Sequence, residues 1–350
     1  MKRIKQIFTD SISNHTSVIV TCQLLFVKRS GIPIFIGASC LLLITLTSFT
    51  PHWGFFAHKK INELAVNTLP EEMFGFYKKH IDYLSEHSVD PDKRRLSMKG
   101  EAERHYFDSD HYCFDTTGCN PFANVPRRWT EAVAKYSEDT LRAYGIVPWH
   151  VYLVTINLTQ AFKDEDVGRI VRTSAELGHY VADAHVPLHS TTNYNGQQTG
   201  QRGIHGFWES RLPELYHDEY DFFVGKSNYI SSPLNFIWDR VEESYAAVDS
   251  VLGFETELNE KFPEDQKYSF ESRGQTNMKV YSEDYSRKYT EMLDGQVERR
   301  MKQSIISLGS LWYTAWVDAG QPDLNKLIGL PVLEEPIVIA NDEIKGREHE

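Results

Sequence analysis

A chain of 350 residues with 41% apolar side chains has ample material for a buried core, which excludes a disordered tail or a small disulfide-held peptide. Residues 1–52 hold five basic side chains and one acidic one, leaving 32 basic against 48 acidic and a net charge of −16 for the rest. So acidic a body is repelled by nucleic-acid phosphates and anionic lipid surfaces unless metal ions or a local basic patch compensate.

The chain opens with a leader whose informative part is Lys28-Arg29 followed by an apolar run from Ile32 to Phe49. A basic stretch before an apolar core is the pattern of a secretory signal. Eighteen residues also just suffice to span a bilayer, so an uncleaved anchor is the alternative. Either way the body is expected on the exported side: periplasmic, secreted, or held at the outer face of a membrane. A shorter apolar stretch, Val18 to Val27, fits no ordinary signal peptide.

After Trp53 the periodicity is helical. Ile61, Leu64, Ala65 and Leu69 recur at three and four before Pro70. Residues 126–145 place Trp129, Ala132, Val133 and Tyr136 on one face and end at Gly145, predicting one helix with a glycine stop. Pro148 opens the next, with Val151, Val154, Leu158 and Phe162 as its stripe. A polar turn then leads to a helix over 167–184, antiparallel to its predecessor. A loop at 190–204 precedes a helix carrying His205, and further helices are predicted at 232–252 and 280–318, the latter with a core-forming ISLGSLWYTAWV stretch. No run alternates as a strand does. The fold class is therefore all-α, a single multi-helix domain over 53–327, with a leader before it (1–52) and a polar, acidic extension after it (328–350).

Only Cys113 and Cys119 lie in the body. Six residues apart in an oxidising compartment, they suit a small disulfide loop; free thiols and a zinc pair are the alternatives, the spacing being wide for zinc.

The densest chemical signal is H-Y-V-A-D-A-H-V-P-L-H, from His179 to His189. His179 and Asp183 are four apart on a helix and so share a face, and Pro187 ends that helix and lets His189 turn. His205 and Glu209 repeat the four-residue spacing in G-I-H-G-F-W-E. Neutral imidazole and carboxylate are a ligand set that zinc accepts. Ordinary helix-surface pairing does not explain five such residues within 31 positions. D-P-D-K-R-R through H-Y-F-D-S-D-H-Y, residues 90–112, adds Asp92 and His105, and W-G-F-F-A-H adds His58.

The order W-G-x3-H, then P-D with a His 13 residues on, then H-x3-D-x5-H, then H-x3-E resembles the zinc-dependent phospholipase C and S1/P1 nuclease superfamily over roughly residues 53–320. The resemblance implies an all-α fold and three zinc ions, two of them the more secure. Asp92, His105, His179 and Asp183 would surround the first, and His189, His205 and Glu209 the second. The third would be held by the α-amino and carbonyl groups of Trp53, by His58, and by a bridging Asp183. Asp90 competes with Asp92, and His111 and His185 match no ligand position. Trp53 can supply an amine only if the chain is cut after His52, and His52 and Thr50 suit signal peptidase poorly.

That resemblance implies zinc-assisted hydrolysis of a phosphodiester, with Asp92 as candidate to orient or deprotonate the attacking water. Glu209 and the acidic body favour the phospholipase C branch, with a phospholipid as partner and a monomeric enzyme. An S1/P1-type single-strand nuclease or 3′-nucleotidase, acting on nucleic acid, is the alternative, and a zinc-binding protein without catalysis is a third reading.

Overall fold

The computed structural model describes residues 54–113, 119–273 and 276–332. The leader, Trp53, residues 114–118 between the two cysteines and most of the acidic extension lie outside the described residues. No described helix is long and apolar enough to cross a membrane.

The first helices are α1 (Phe55–Ala65), α2 (Glu71–Lys79), α3 (Ile81–Glu86) and the short α4 (Asp90–Arg94). After a looping segment from 95 to 120 come α5 (Pro121–Asn124), α6 (Trp129–Tyr136) and α7 (Glu138–Ala143). The single helix expected over 126–145 is therefore two. Ser137 takes a left-handed φ of 69° and its hydroxyl caps the following turn at the Thr140 amide, a break set by the packing around it and by no helix-breaking residue.

The centre of the fold is the antiparallel pair α8 (Val147–Lys163) and α9 (Val167–Ala184), at the boundaries that the apolar stripes suggest. Asp166 starts α9 by accepting from the Arg169 amide at 3.0 Å. Val151, Val154, Leu158 and Phe162 are all buried. On α9, Gly178 lets α1 come close: a Cβ there would lie 2.3 Å from the Asn62 side chain.

Beyond the 190–203 loop, α10 (Ile204–Gly206) runs through a π turn at Phe207–Arg211 into α11 (Leu212–Tyr216). Helices α12 (Pro233–Ala246) and α13 (Val248–Lys261) follow. A two-stranded antiparallel hairpin then departs from the expected helices: β1 (Tyr268–Arg273) pairs with β2 (Thr276–Tyr281), Tyr268 opposite Tyr281 and Phe270 opposite Lys279. The long helix expected over 280–318 is α14 (Glu283–Leu293) and α15 (Gln296–Asp318), parted where Asp294 and Gly295 both take positive φ. Ile305, Leu308, Leu311, Trp312 and Ala315 of α15 are fully buried, so the apolar stretch is core. The fold is all-α apart from the hairpin, which rests against the π turn through stacked Phe207 and Tyr281 rings 3.9 Å apart.

Candidate metal centre

Six separate segments deliver buried or largely buried imidazoles and carboxylates to one place. From α9, His179 and Asp183 leave the same face, with His179 Nε2 and Asp183 Oδ2 3.4 Å apart. His105, at the end of a 3-10 turn, puts its Nδ1 3.0 Å from Asp183 Oδ2 and 3.0 Å from His179 Nε2. Asp92 of α4 brings Oδ1 within 3.6 Å of His179 and 3.7 Å of His105 and remains partly exposed. Asp90, by contrast, is held by His87 at 2.6 Å and Lys93 at 2.8 Å and does not join the group.

A second group forms where the loop after α9 meets α10. His205 Nε2 lies 2.7 Å from Glu209 Oε2, and His189 Nε2 lies 3.5 Å from the same oxygen. His205 lies in α10, two residues before the π turn begins, and Glu209 lies inside that turn. His58 of α1 joins the two groups: its Nε2 is 3.5 Å from Asp183 Oδ1 and 3.5 Å from Glu209 Oε1, and its ring stacks on His179 at 4.1 Å. The close approach of α1 and α9 at Gly178 makes that stacking possible, and the Asn62 amide donates to the His58 carbonyl at 3.1 Å. Donor atoms of His105, His179 and Asp183, of His189, His205 and Glu209, and of His58, Asp183 and Glu209 each fall within 4.8 Å of one another. Trp53 lies outside the described residues, although Gly54 beside it reaches the cluster: a Cβ on Gly54 would sit 3.3 Å from Glu209 Oε1.

The hydrogen bonds behind the imidazoles decide what the cluster can hold. His179 Nδ1 lies 2.8 Å from the Ser88 carbonyl, His189 Nδ1 2.6 Å from the His105 carbonyl and His205 Nδ1 3.1 Å from the Tyr194 carbonyl. A carbonyl only accepts, so each Nδ1 carries a proton and each neutral ring turns its Nε2 lone pair inward. Those lone pairs face carboxylate oxygens, which are also donors of electrons. Two such groups at 2.7 Å repel unless a cation stands between them. Burial, with His58 and His105 nearby, holds the His179 pKa well below the ordinary imidazole value. Burial also raises Asp183 well above the usual carboxylate range, reinforced by Asp92 and Glu209. For Glu209 burial acts upward too, but the three imidazoles of His189, His205 and His58 around it outweigh that effect and hold the carboxylate low. A donor set of this kind fits zinc.

Behind His105 stands Glu101, fully buried, bonded by the Tyr180 hydroxyl, by Arg94 Nε at 2.8 Å and by Arg104 at 3.0 Å. His185 and His111 lie apart from the donor groups. His185 donates to the Val181 carbonyl at 2.7 Å with Ser307 at its other nitrogen, and His111 stacks on Tyr144. Cys113 and Cys119 are joined by a disulfide with Cα atoms 5.7 Å apart, away from the donor groups.

A cavity of about 490 Å3 opens beside the cluster, lined by Asp92, Asp183, His189, His205 and Glu209 on one side and by Tyr268, Met278, Lys279, Val280 and Tyr281 of the hairpin on another. Arg95 also lines it. Only 4% exposed, it keeps Nε and Nη2 without a hydrogen-bond partner, a costly arrangement for a buried cation in a resting protein. Sequence reading missed this residue, because Lys93-Arg94-Arg95 looks like a solvated basic run. Its place three residues after Asp92, on the same side of a helical turn, was the available signal.

A search of curated proteins finds no match. Among solved structures, the chain is similar to the alpha-toxin of Clostridium perfringens isolated from avian strain SWCP, at 12% identity and a TM-score of 0.43, over 77% of this chain. The chain spans 65% of that toxin's length, just under two thirds. The sequence profile described as zinc dependent phospholipase C matches residues 57–270, which include every described member of the cluster, and the chain belongs to the zinc-dependent phospholipase C family.

Proposed function

We propose that the protein is a zinc-dependent phosphodiester hydrolase of the phospholipase C type, cleaving a phospholipid on the glycerol side of its phosphate. The observation that carries this reading is the set of inward-facing imidazole lone pairs opposed to buried carboxylates, at the foot of a cavity that also holds an unpartnered guanidinium. Asp92, His105, His179 and Asp183 would hold one zinc, and His189, His205 and Glu209 another. His58 and Asp183 would hold a third, together with the terminal amine of Trp53 in a chain trimmed after His52. When bound, zinc supplies Lewis acidity, polarising the phosphoryl group and making water nucleophilic near neutral pH.

The remaining work falls to the chain. Asp92 is the one carboxylate of the first group that is partly exposed, so it orients the attacking water and takes its proton. Arg95 donates to a non-bridging phosphate oxygen, whose charge grows as water adds to phosphorus. The P–O bond to glycerol then breaks, and the departing oxygen receives a proton, giving diacylglycerol and a phosphorylated head group. Export by the leader would place this chemistry on extracellular or periplasmic lipid.

The test is metal analysis and intact mass of the exported protein, with parallel assays on phospholipid vesicles and single-stranded DNA, with and without chelator. Chelator-sensitive release of diacylglycerol supports the reading, as does loss of both zinc and turnover in His179→Ala and His205→Ala. DNA cleavage without lipid turnover would replace it with the nuclease alternative. A chain that starts upstream of Trp53 and still binds three zinc ions would remove the amine from the third site.

A further inference from the structure

The wall of the cavity opposite the metal cluster is the β1–β2 hairpin, and the side chains it presents bear on which head group can enter. Tyr268 and Tyr281 offer aromatic faces, the usual means of holding a quaternary ammonium. Those faces already carry cations: Lys279 Nζ sits 3.9 Å above the Tyr268 ring, and Lys267 Nζ lies 5.6 Å from Tyr268 and 5.7 Å from Tyr281. Lys267 is fixed there by Glu255 at 2.9 Å. Arg202 and Arg211 line the same cavity. The only carboxylates on its described lining are Asp92, Asp183 and Glu209, all three members of the metal cluster, and Glu271 on the hairpin is committed to both terminal nitrogens of Arg211.

We infer that this cavity selects phospholipids whose head group is a polyol or an acid, and discriminates against choline. The inference rests on the phospholipase reading above and adds the substrate class. A choline ammonium entering the cavity meets Lys279 and Arg202, finds the Tyr268 and Tyr281 rings already faced by lysines, and has no carboxylate on the described lining outside the metal cluster. Hydroxyls or an acidic group find a donor in the Lys279 ammonium. The cavity is sized for the polar end of the lipid, and two long acyl chains stay outside it.

The experiment compares the zinc-loaded protein on dihexanoyl phosphatidylglycerol and dihexanoyl phosphatidylcholine, both kept monomeric so that surface charge plays no part. The glycerol lipid should be favoured by about tenfold or more in kcat/KM, the factor that corresponds to one charge-assisted contact. Lys279→Glu and Arg202→Glu, both at exposed positions, should each shrink that ratio several-fold, mainly through KM. Equal or greater turnover of the choline lipid by the unaltered protein overturns the inference and leaves the phospholipase reading standing. An undiminished ratio in both variants assigns the preference to other groups and overturns the role given to this wall. Hydrolysis of neither lipid overturns the phospholipase reading and the inference with it.

Discussion

Gly178→Ala is the sharpest test of how the fold builds its metal centre, because local propensity and tertiary packing make opposite predictions. In a helix interior, alanine is favoured over glycine by about 1 kcal/mol. Against that, the new methyl would lie 2.3 Å from Asn62 Nδ2 and Oδ1 and 2.6 Å from its Cγ. Asn62 is fully buried and its amide donates to the His58 carbonyl, so it has no solvent-side rotamer to retreat to. Overpacking of this kind costs about 1–3 kcal/mol, and loss of the Asn62 hydrogen bond about 1 kcal/mol more. The net expectation is destabilisation by about 1–3 kcal/mol, a fall in Tm of roughly 2–8 °C. Because Asn62 lies one turn beyond His58, the same shift moves His58 off the His179 ring and weakens zinc retention. The assay is thermal unfolding in chelator and again in zinc, for Gly178→Ala, Asn62→Ala and the double variant. In the double variant the methyl has room, so the two effects should be strongly non-additive. A Gly178→Ala protein with raised Tm in chelator, or simple additivity with Asn62→Ala, would refute the close-approach argument.

Three further outcomes follow from the site. Arg95→Ala should lower kcat/KM by about 100- to 1,000-fold, the usual cost of losing a donor to developing oxyanion charge, with zinc content unchanged. The same variant should melt at a higher temperature, since it removes an unpartnered buried cation, and Arg95→Lys should recover part of the activity. Glu209→Asp should retain detectable turnover with weaker zinc retention, read by chelator titration, because the shorter side chain withdraws Oε2 from its 2.7 Å approach to His205. Burial, aided by Arg300, holds His185 well below its ordinary value of about 6.5. The folded state therefore refuses a proton that the unfolded state takes: His185's contribution is complete above pH 6.5 and is lost as pH falls from there toward the folded pKa. The stability difference between wild type and His185→Gln, measured by urea unfolding, should drop by up to about 1.4 kcal/mol per pH unit below that point. A difference that is flat from pH 7 to 5 would contradict it.

What the sequence made legible divides along physical lines. The helix at 167–184 could be read because the polar turn that precedes it is a local signal, and the clustered imidazoles and carboxylates because the two are rare together at such spacing. The break at Ser137 could not, since nothing in the residue type demands a φ of 69°. The hairpin escaped because its strands do not alternate between core and solvent: Phe270 is 76% exposed while Glu271, next to it, is pinned by Arg211. The carbonyls of Ser88, His105 and Tyr194 that orient three imidazoles carry no residue signature at all. Arg95 was hidden by its neighbours, Lys93 and Arg94, which have the composition of a solvated surface.

The π turn at Phe207–Arg211 has a consequence for how this chain can vary in length. A π turn accommodates one residue more than an α-helix over the same rise, so deleting a residue there would let the backbone relax into ordinary helix. Because the wider turn absorbs that extra residue, the segments on either side would keep their places, and the change would fall on the residues within the turn. A deletion between His205 and Glu209 would shorten their spacing from four residues to three and disturb both the 2.7 Å approach of Nε2 to Oε2 and the seat of Phe207 against Tyr281. A one-residue deletion between His205 and Glu209 would therefore be felt at the donor atoms and the hairpin wall while α11 stays where it is.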